Sequence, residues 1–415
     1  MYETDKETEA VVLVAVEEDS PDAGAVRAED SLSELAELVK TAGAEVVGRL
    51  VQNRESAHPG TYIGKGKIEE LRELLEATGA SGIVTDDELT PAQMKNLEDA
   101  LGCNVMDRTM VILDIFAQHA MTGEGKLQVE LAQLRYRSTR LIGMGRAMSR
   151  LGGGIGTRGP GEKKLETDRR CLRNRIAQLN RELTEMKKNR EVRREARTRS
   201  AIPVVAIVGY TNAGKSTLLN YLTDAGVLSK DALFATLDPT TRNYRLPNGQ
   251  EILFTDTVGF IRKLPHHLID AFRSTLEEAG YSDLILHVVD ASNPDADTQM
   301  SVVYETLRRL EIGDRKVITA LNKQDRIVGE RVLKDLSAER VVKISAKTGE
   351  GIPALLDAIT DVLLEGKEYV ERVYSYAEAS KLQGIRKYGQ LLSEEYVADG
   401  IAVKAYVPKD RKDLM

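Results

Sequence analysis

Nine consecutive residues, GYTNAGKST (Gly209–Thr217), combine the groups that phosphate binding needs. Glycines let a backbone bend until successive N–H groups converge, and a lysine followed by a hydroxyl supplies a cation and a metal ligand. The spacing is Gly, four residues, Gly, Lys, Ser; an apolar run, IPVVAIV (202–208), precedes it and a helical pattern follows. In that setting Gly209, Tyr210, Thr211, Asn212, Ala213 and Gly214 form a loop whose amides face the β-phosphate. Lys215 reaches the β- and γ-phosphates, Ser216 offers its hydroxyl to Mg²⁺, and Thr217 completes the segment. Alone, this pattern leaves ATP and GTP open.

Three later segments choose between the bases. DTVG (Asp256, Thr257, Val258, Gly259) ends the strand-like EILFTDT, so that Asp256 can hold a magnesium-bound water and the Gly259 N–H can face the γ-phosphate. NKQD (Asn322, Lys323, Gln324, Asp325) ends the run KVITAL. Asp325 can accept from guanine N1–H and the exocyclic amine, which adenine lacks; Asn322 and Lys323 would brace the loops and cover the base. SAK (Ser345, Ala346, Lys347) ends RVVKI, and the Ala346 N–H can donate to guanine O6. Groups matched to one base edge discriminate because the wrong base leaves them unpaired. All four segments close apolar strands, the ends at which open parallel sheets bind ligands. They imply a guanine-nucleotide site that takes GTP with Mg²⁺.

Between them, FATLDPTTR (234–242) reads as a switch loop through Phe234, Ala235, Thr236, Leu237 and Asp238. Thr236 is the expected second Mg²⁺ ligand, with Thr240 and Thr241 as alternatives, and Asp238-Pro239 also reads as a plain turn. Lys215, Thr236 and Gly259 are thus the residues expected to act on the reacting phosphate. Phe260 follows Gly259, where many GTPases carry a water-orienting Gln. A side chain that cannot hydrogen-bond implies slow turnover until a partner orders the switches, and it reads equally as a core anchor. Arg262 as a charge clamp and His266 or His267 near the water are weaker candidates, read first as surface or partner-facing groups.

These segments need a scaffold. From 201 to about 365, strand and helix patterns alternate, as a P-loop G domain requires. Residues 1–107 alternate in the same way and predict a smaller parallel α/β domain, in which Ser31 and Glu34 read as a capping box. There YIGKGKIEEL (62–71) reads as an ordinary loop and helix start, with anion binding as the alternative. From 108 to 200 the strand signal disappears. Leu127, Leu131 and Leu134, then Leu165, Leu172, Ile176, Leu179, Leu183 and Met186, mark two helical seams, hence an antiparallel hairpin. Residues 366–415 read as a small α+β domain.

The hairpin tip, RLIGMGRAMSRLGGGIGTRGPGEKK (140–164), is rich in Gly and Arg inside a chain of net charge −7. From Arg135 to Arg199 the count is 20 Lys plus Arg against 7 Asp plus Glu. Such a block marks either a solvated helix face or a polyanion partner. Arg140, Arg146, Arg150 and Arg158, on a segment too glycine-rich for a stable helix, would reach into structured RNA and become ordered there.

Composition excludes other classes. Nowhere do eighteen apolar residues run together without a charge, and the acidic start MYETDKETEA does not read as an export signal. Cys103 and Cys171 alone make neither a disulfide framework nor a metal cluster, so a cytoplasmic setting is expected. Nothing points to DNA, and a hairpin that satisfies its own seam suits a monomer.

Taken together, GYTNAGKSTLLN, FATLDPTTR, DTVGFIRKLP and NKQD, preceded by GPGEKKLETDRR, resemble the HflX family of translation-factor-related GTPases over nearly the whole chain. The resemblance implies Mg²⁺-dependent GTP hydrolysis, binding to the large ribosomal subunit and its RNA, and a role in dissociating or rescuing stalled ribosomes. Action on another structured RNA or a membrane complex, or GTP-gated binding with incidental hydrolysis, are the alternatives.

Overall fold

The computed structural model describes residues 9–18, 27–148, 160–198, 202–223, 233–234, 237–265, 268, 279–313, 315–327, 329 and 332–409, with the backbone alone at 141–148, 160–165, 189–198, 377, 379–381, 387–388, 390 and 408. The chain divides into two compact units, Met1–Leu183 with Lys263–Ala271, and Thr184–Arg262 with Phe272–Met415.

The first unit opens with β1 (Ala10–Glu18), α1 (Ala28–Ala42), β2 (Glu45–Arg54), α2 (Lys65–Thr78), β3 (Gly82–Thr85), α3 (Pro91–Leu101) and β4 (Asn104–Asp107). The strands form one parallel sheet in the order β2-β1-β3-β4. Central β1 is covered on both faces and therefore reads as an unbroken apolar run, Val11 to Val16, rather than an alternating one. Val12, Val14, Ile83 and Val105 pack with Leu71 and Leu97 from α2 and α3.

The capping box expected at Ser31 is not one. Helix α1 starts three residues earlier, at Ala28, which places Ser31 inside it, donating to Asp86 at 2.7 Å. Glu34 pairs instead with Arg108, which also holds Asp86 at 2.8 Å. A buried guanidinium needs carboxylates more than the helix end needs a cap. The true capping box lies at Thr90 and Gln93, ahead of α3. Lys263 joins the same cluster, donating to Asp86 and, at 2.6 Å, to Asp87.

Helices α4 (Arg108–His119), α5 (Gly123–Met148) and α6 (Pro160–Thr198) follow. Glu130 on α5 accepts from Arg175 on α6 at 2.7 and 2.9 Å, and Arg135 donates to Asn180, so the two helices pack side by side. Leu131 and Leu179 are buried, as a seam requires. Helix persists further into the glycine-rich stretch than its composition suggests: α5 runs through Gly143 and Gly145, and α6 begins at Pro160.

In the second unit, β5 (Val204–Gly209), α7 (Lys215–Thr223), β6 (Thr240–Arg245), β7 (Glu251–Asp256), β8 (Leu284–Asp290), α8 (Ala296–Arg309), β9 (Val317–Asn322), β10 (Arg340–Lys343) and α9 (Ile352–Leu364) build a six-stranded sheet with helices. Its order is β10-β9-β8-β5-β7-β6, with only the edge strand β6 antiparallel to its neighbour. Val205, Ile207, Leu286, Ile318 and Leu355 are among its fully buried side chains. Beyond it, β11 (Lys367–Tyr374), α10 (Ala379–Tyr388), β12 (Gln390–Val397) and β13 (Gly400–Pro408) make an antiparallel sheet, β11-β13-β12, with Leu382 and Ile385 of α10 buried in the same cluster as Ile401 and Val403.

Candidate functional site

The loop that links β5 to α7 carries Gly209–Gly214, and the other three segments close β7, β9 and β10 at the same edge of the sheet. Parallel strands all point one way, so residues far apart in sequence converge at their carboxyl ends. Asn322 joins two of these segments. Its amide donates to Ala213 O at 2.8 Å, and its carbonyl oxygen accepts from Ala346 N at 2.9 Å. Gly214 sits under it with φ +97°, and a Cβ there would lie 2.2 Å from the Asn322 amide nitrogen, so no other residue fits.

Lys215 is buried and donates to the Tyr210 carbonyl at 2.9 Å. Burial pushes its ammonium down to about 8; Lys323 adds to the fall and Asp256 opposes it. The Ser216 hydroxyl donates to Asp256 at 2.7 Å. A hydroxyl and a carboxylate this close form a hard-oxygen pair of the kind that suits Mg²⁺, which binds through one or two such groups plus phosphate and water. Thr257 turns its hydroxyl away to Ile207 O, a structural role, and Val258 is buried. Gly259 packs so tightly that a Cβ would come within 2.9 Å of both Lys215 Nζ and Thr211. Phe260 is buried, as a core anchor would be.

Where β9 and β10 end, Asp325 accepts from the Ser345 hydroxyl at 2.6 Å, and that bond holds its carboxyl below the usual range. Gln324 donates to Leu321 O. Two expectations need correction. Lys323, in a left-handed conformation at φ 63°, directs its ammonium to Asp290 at 2.7 Å, because Asp290 ends the neighbouring β8 and offers a partly buried carboxylate. The Ala346 N–H is taken by Asn322 rather than left for a base. A third correction concerns Thr211, whose amide donates to Phe260 O at 2.7 Å instead of joining the phosphate-facing set. Sequence reasoning missed Asp290, although it ends the apolar run LILHVVD just as Asp256 ends its own.

Of the switch loop, Phe234 and Leu237 are buried and Asp238 is partly so; Ala235 and Thr236 lie outside the described residues. Thr240 and Thr241 belong to β6, with Thr241 beside Thr255 at 3.1 Å, which makes them ladder residues. Arg262 lies 3.8 Å from Asp295, and His266 and His267 are outside the described residues.

Arg140 was expected to contact RNA, and here the structure differs. Its guanidinium is largely buried in the first unit, donating to Asp107 at 2.5 Å and to Leu89 O at 3.2 Å and lying over the Tyr136 ring. The fully buried Asp107 carboxylate needs a cation, and Arg140 supplies it. Only the backbone of Arg146 is described, and Arg150 and Arg158 are outside the described residues. No described helix is long and apolar enough to cross a membrane, and the described residues hold no cluster of His, Cys, Asp and Glu suited to a metal.

Three family models match this chain: the N-terminal region of GTP-binding GTPases over residues 29–117, their middle region over 119–197, and a 50S ribosome-binding GTPase over 204–323. A protein named GTPase HflX from Lacrimispora saccharolytica is 63% identical over 97% of this chain and 94% of its own. One of the same name from Caldanaerobacter subterraneus subsp. tengcongensis is 48% identical over 100% and 95%. A solved structure of a GTP-binding protein from Sulfolobus solfataricus in complex with GDP aligns at a TM-score of 0.45 and 25% identity, over 86% of this chain and 99% of that one. With a nucleotide-binding edge built from four matching segments and relatives similar along their whole length, the chain belongs to the HflX family of GTPases.

Proposed function

We propose that this protein binds the large ribosomal subunit and couples Mg²⁺-dependent GTP hydrolysis to ribosome dissociation, rescue or biogenesis. The observation that carries the reading is the convergence of Lys215, Ser216, Asp256, Gly259, Asn322, Asp325 and Ala346 at one sheet edge, the first five of them within the region matching a 50S ribosome-binding GTPase. Ser216 and Thr236 would ligate the metal directly and Asp256 through water. When bound, the metal neutralises charge on the β- and γ-oxygens. Lys215 supplies a second charge from a buried position, and Gly259 offers an N–H to the transferred group. Asp325 selects guanine through its paired acceptor.

Phe260 gives the attacking water no hydrogen bond, so basal turnover is low and rises when the ribosome orders the switches. In this reading residues 1–107 form an N-terminal domain, 108–200 a hairpin with a basic tip, 201–365 the G domain and 366–415 a small C-terminal domain. Arg146, Arg150 and Arg158 reach the RNA, and Arg140, where the tip begins, holds α5 to Asp107. The protein acts as a cytoplasmic monomer.

The test is steady-state GTP hydrolysis, alone and with isolated large subunits, repeated with residues 143–159 replaced by a Gly-Ser linker. Stimulation that the linker variant loses supports the reading. Equal stimulation by free RNA or lipid, or none by subunits, overturns the ribosomal part. The buried Phe260 favours one second reading, a GTP-gated binding module, and turnover that stays negligible with every partner would establish it.

A further inference from the structure

The segment after Gly259 is stitched to the phosphate loop. Phe260 N donates to Gly209 O at 3.1 Å and Thr211 N donates to Phe260 O at 2.7 Å, so Tyr210 and Phe260 form a parallel bridge. Two residues further on, Arg262 N donates to the Tyr210 hydroxyl at 2.8 Å. Tyr210 is buried by this arrangement, and its carbonyl is the acceptor for the Lys215 ammonium.

Two of the three bonds use main chain on both sides, so any residue would supply them. The third depends on a tyrosine hydroxyl. Together they press Gly259 against Lys215 and Thr211, with 2.9 Å between each and a Cβ built on the glycine. A γ-phosphate needs the Lys215 ammonium, which here is held by the Tyr210 carbonyl at 2.9 Å and packs close to Gly259. A γ-phosphate that draws on both Lys215 and Gly259 would take the ammonium from Tyr210 and part the two segments. GDP, which has no γ-phosphate, need not.

We propose that Tyr210 is a positioning residue that sets the preference of this site between GTP and GDP. By accepting from the Arg262 N–H, its hydroxyl holds the segment 260–262 closed on the phosphate loop, and the bond is given up when a γ-phosphate enters. Tyr210 therefore acts through Gly259, not on the nucleotide. The proposal rests on the reading of Lys215 and Gly259 as γ-phosphate groups.

The full-length protein and its Y210F variant are titrated with GDP and with a non-hydrolysable GTP analogue, both with Mg²⁺. Loss of one hydrogen bond from the closed form alone should tighten the analogue by about two- to tenfold and leave GDP unchanged. Retained GDP binding shows that the variant is folded. In the GDP-bound variant, amide exchange at Arg262 should be faster than in the wild type. A hydroxyl that merely satisfies a buried N–H would shift both nucleotides in parallel. That outcome, or an unchanged ratio, overturns the proposal while the nucleotide site stands. A wild-type chain that binds neither nucleotide overturns the site reading and this proposal with it.

Discussion

The Ser216 hydroxyl donates to the Asp256 carboxylate at 2.7 Å, joining the first turn of α7 to the end of β7. In the proposed site, a metal bound by the Ser216 oxygen would have Asp256 beside it, able to act through a water. Groups at that remove typically change metal affinity by about 10- to 100-fold when replaced. Asp256→Asn should therefore raise the Mg²⁺ concentration for half-maximal GTP binding by that order, while metal-free nucleotide binding changes little. An unchanged Mg²⁺ requirement would remove Asp256 from the metal site.

Lys215 gives the site a pH dependence. Its ammonium, lowered by burial to about 8, is charged below that pH and is lost above it in the free protein. A bound phosphate favours the charged form, so above pH 8 binding must take up a proton. Nucleotide affinity should stay level up to pH 7.5 and then fall toward about tenfold per pH unit. Calorimetry in buffers of different ionisation enthalpy would count the proton. A flat profile to pH 9 would contradict the burial argument.

Acid should weaken the second unit through His287. The ring lies on β8, its Nδ1 is buried with no hydrogen-bond partner among the described residues, and Asp335 stands 3.9 Å away. Burial lowers its pKa from 6.5 to about 4; Asp335 opposes the fall and Lys215 adds to it. The unfolded chain therefore binds a proton that the folded chain refuses, and stability is lost as pH falls from 6.5 toward 4. By pH 5.5 the loss is about 1 kcal/mol. His287→Leu should narrow the difference in Tm between pH 7.5 and pH 5.5; the same difference as wild type would exclude His287 as the source.

In the first unit, Asp86 holds Arg108, Lys263 and Ser31 together. Burial alone would raise its carboxyl, but Arg108 and then Lys263 outweigh it and bring it below 3.8. The stabilisation is thus complete above the unfolded pKa and disappears only as pH falls through the lower folded value. Asp86→Asn at pH 7 removes one of the two carboxylates on the buried Arg108 guanidinium, which costs about 3 to 5 kcal/mol. Urea denaturation showing a loss under 1 kcal/mol would mean that Glu34 alone suffices.

How much of this was legible depends on where each residue finds its partner. The nucleotide segments stand where the sequence placed them, at the ends of strands, because phosphate and base recognition demand particular residues at fixed spacing directly after a strand. Ser31 and Glu34 misled because their sequence neighbours suggested a cap, whereas their partners, Asp86 and Arg108, lie 55 and 74 residues away. Arg140 failed in the same way. Composition cannot reveal that one arginine of a basic block answers a buried aspartate on another element. The positions of Lys323 and the Ala346 amide depend on Asp290 and Asn322, and only the sheet order brings these into reach.

The side chain of Asn322 has a consequence for how a ligand would be held. One amide group fastens the turn before α7 to the loop after β10. If the site is as proposed, the diphosphate half and the nucleoside half of a ligand would meet a single rim assembled during folding. The two halves should bind more tightly joined than their separate affinities suggest, since no loop is left to be ordered between them. Without this crosspiece, the rim would behave as two weak, independent sites.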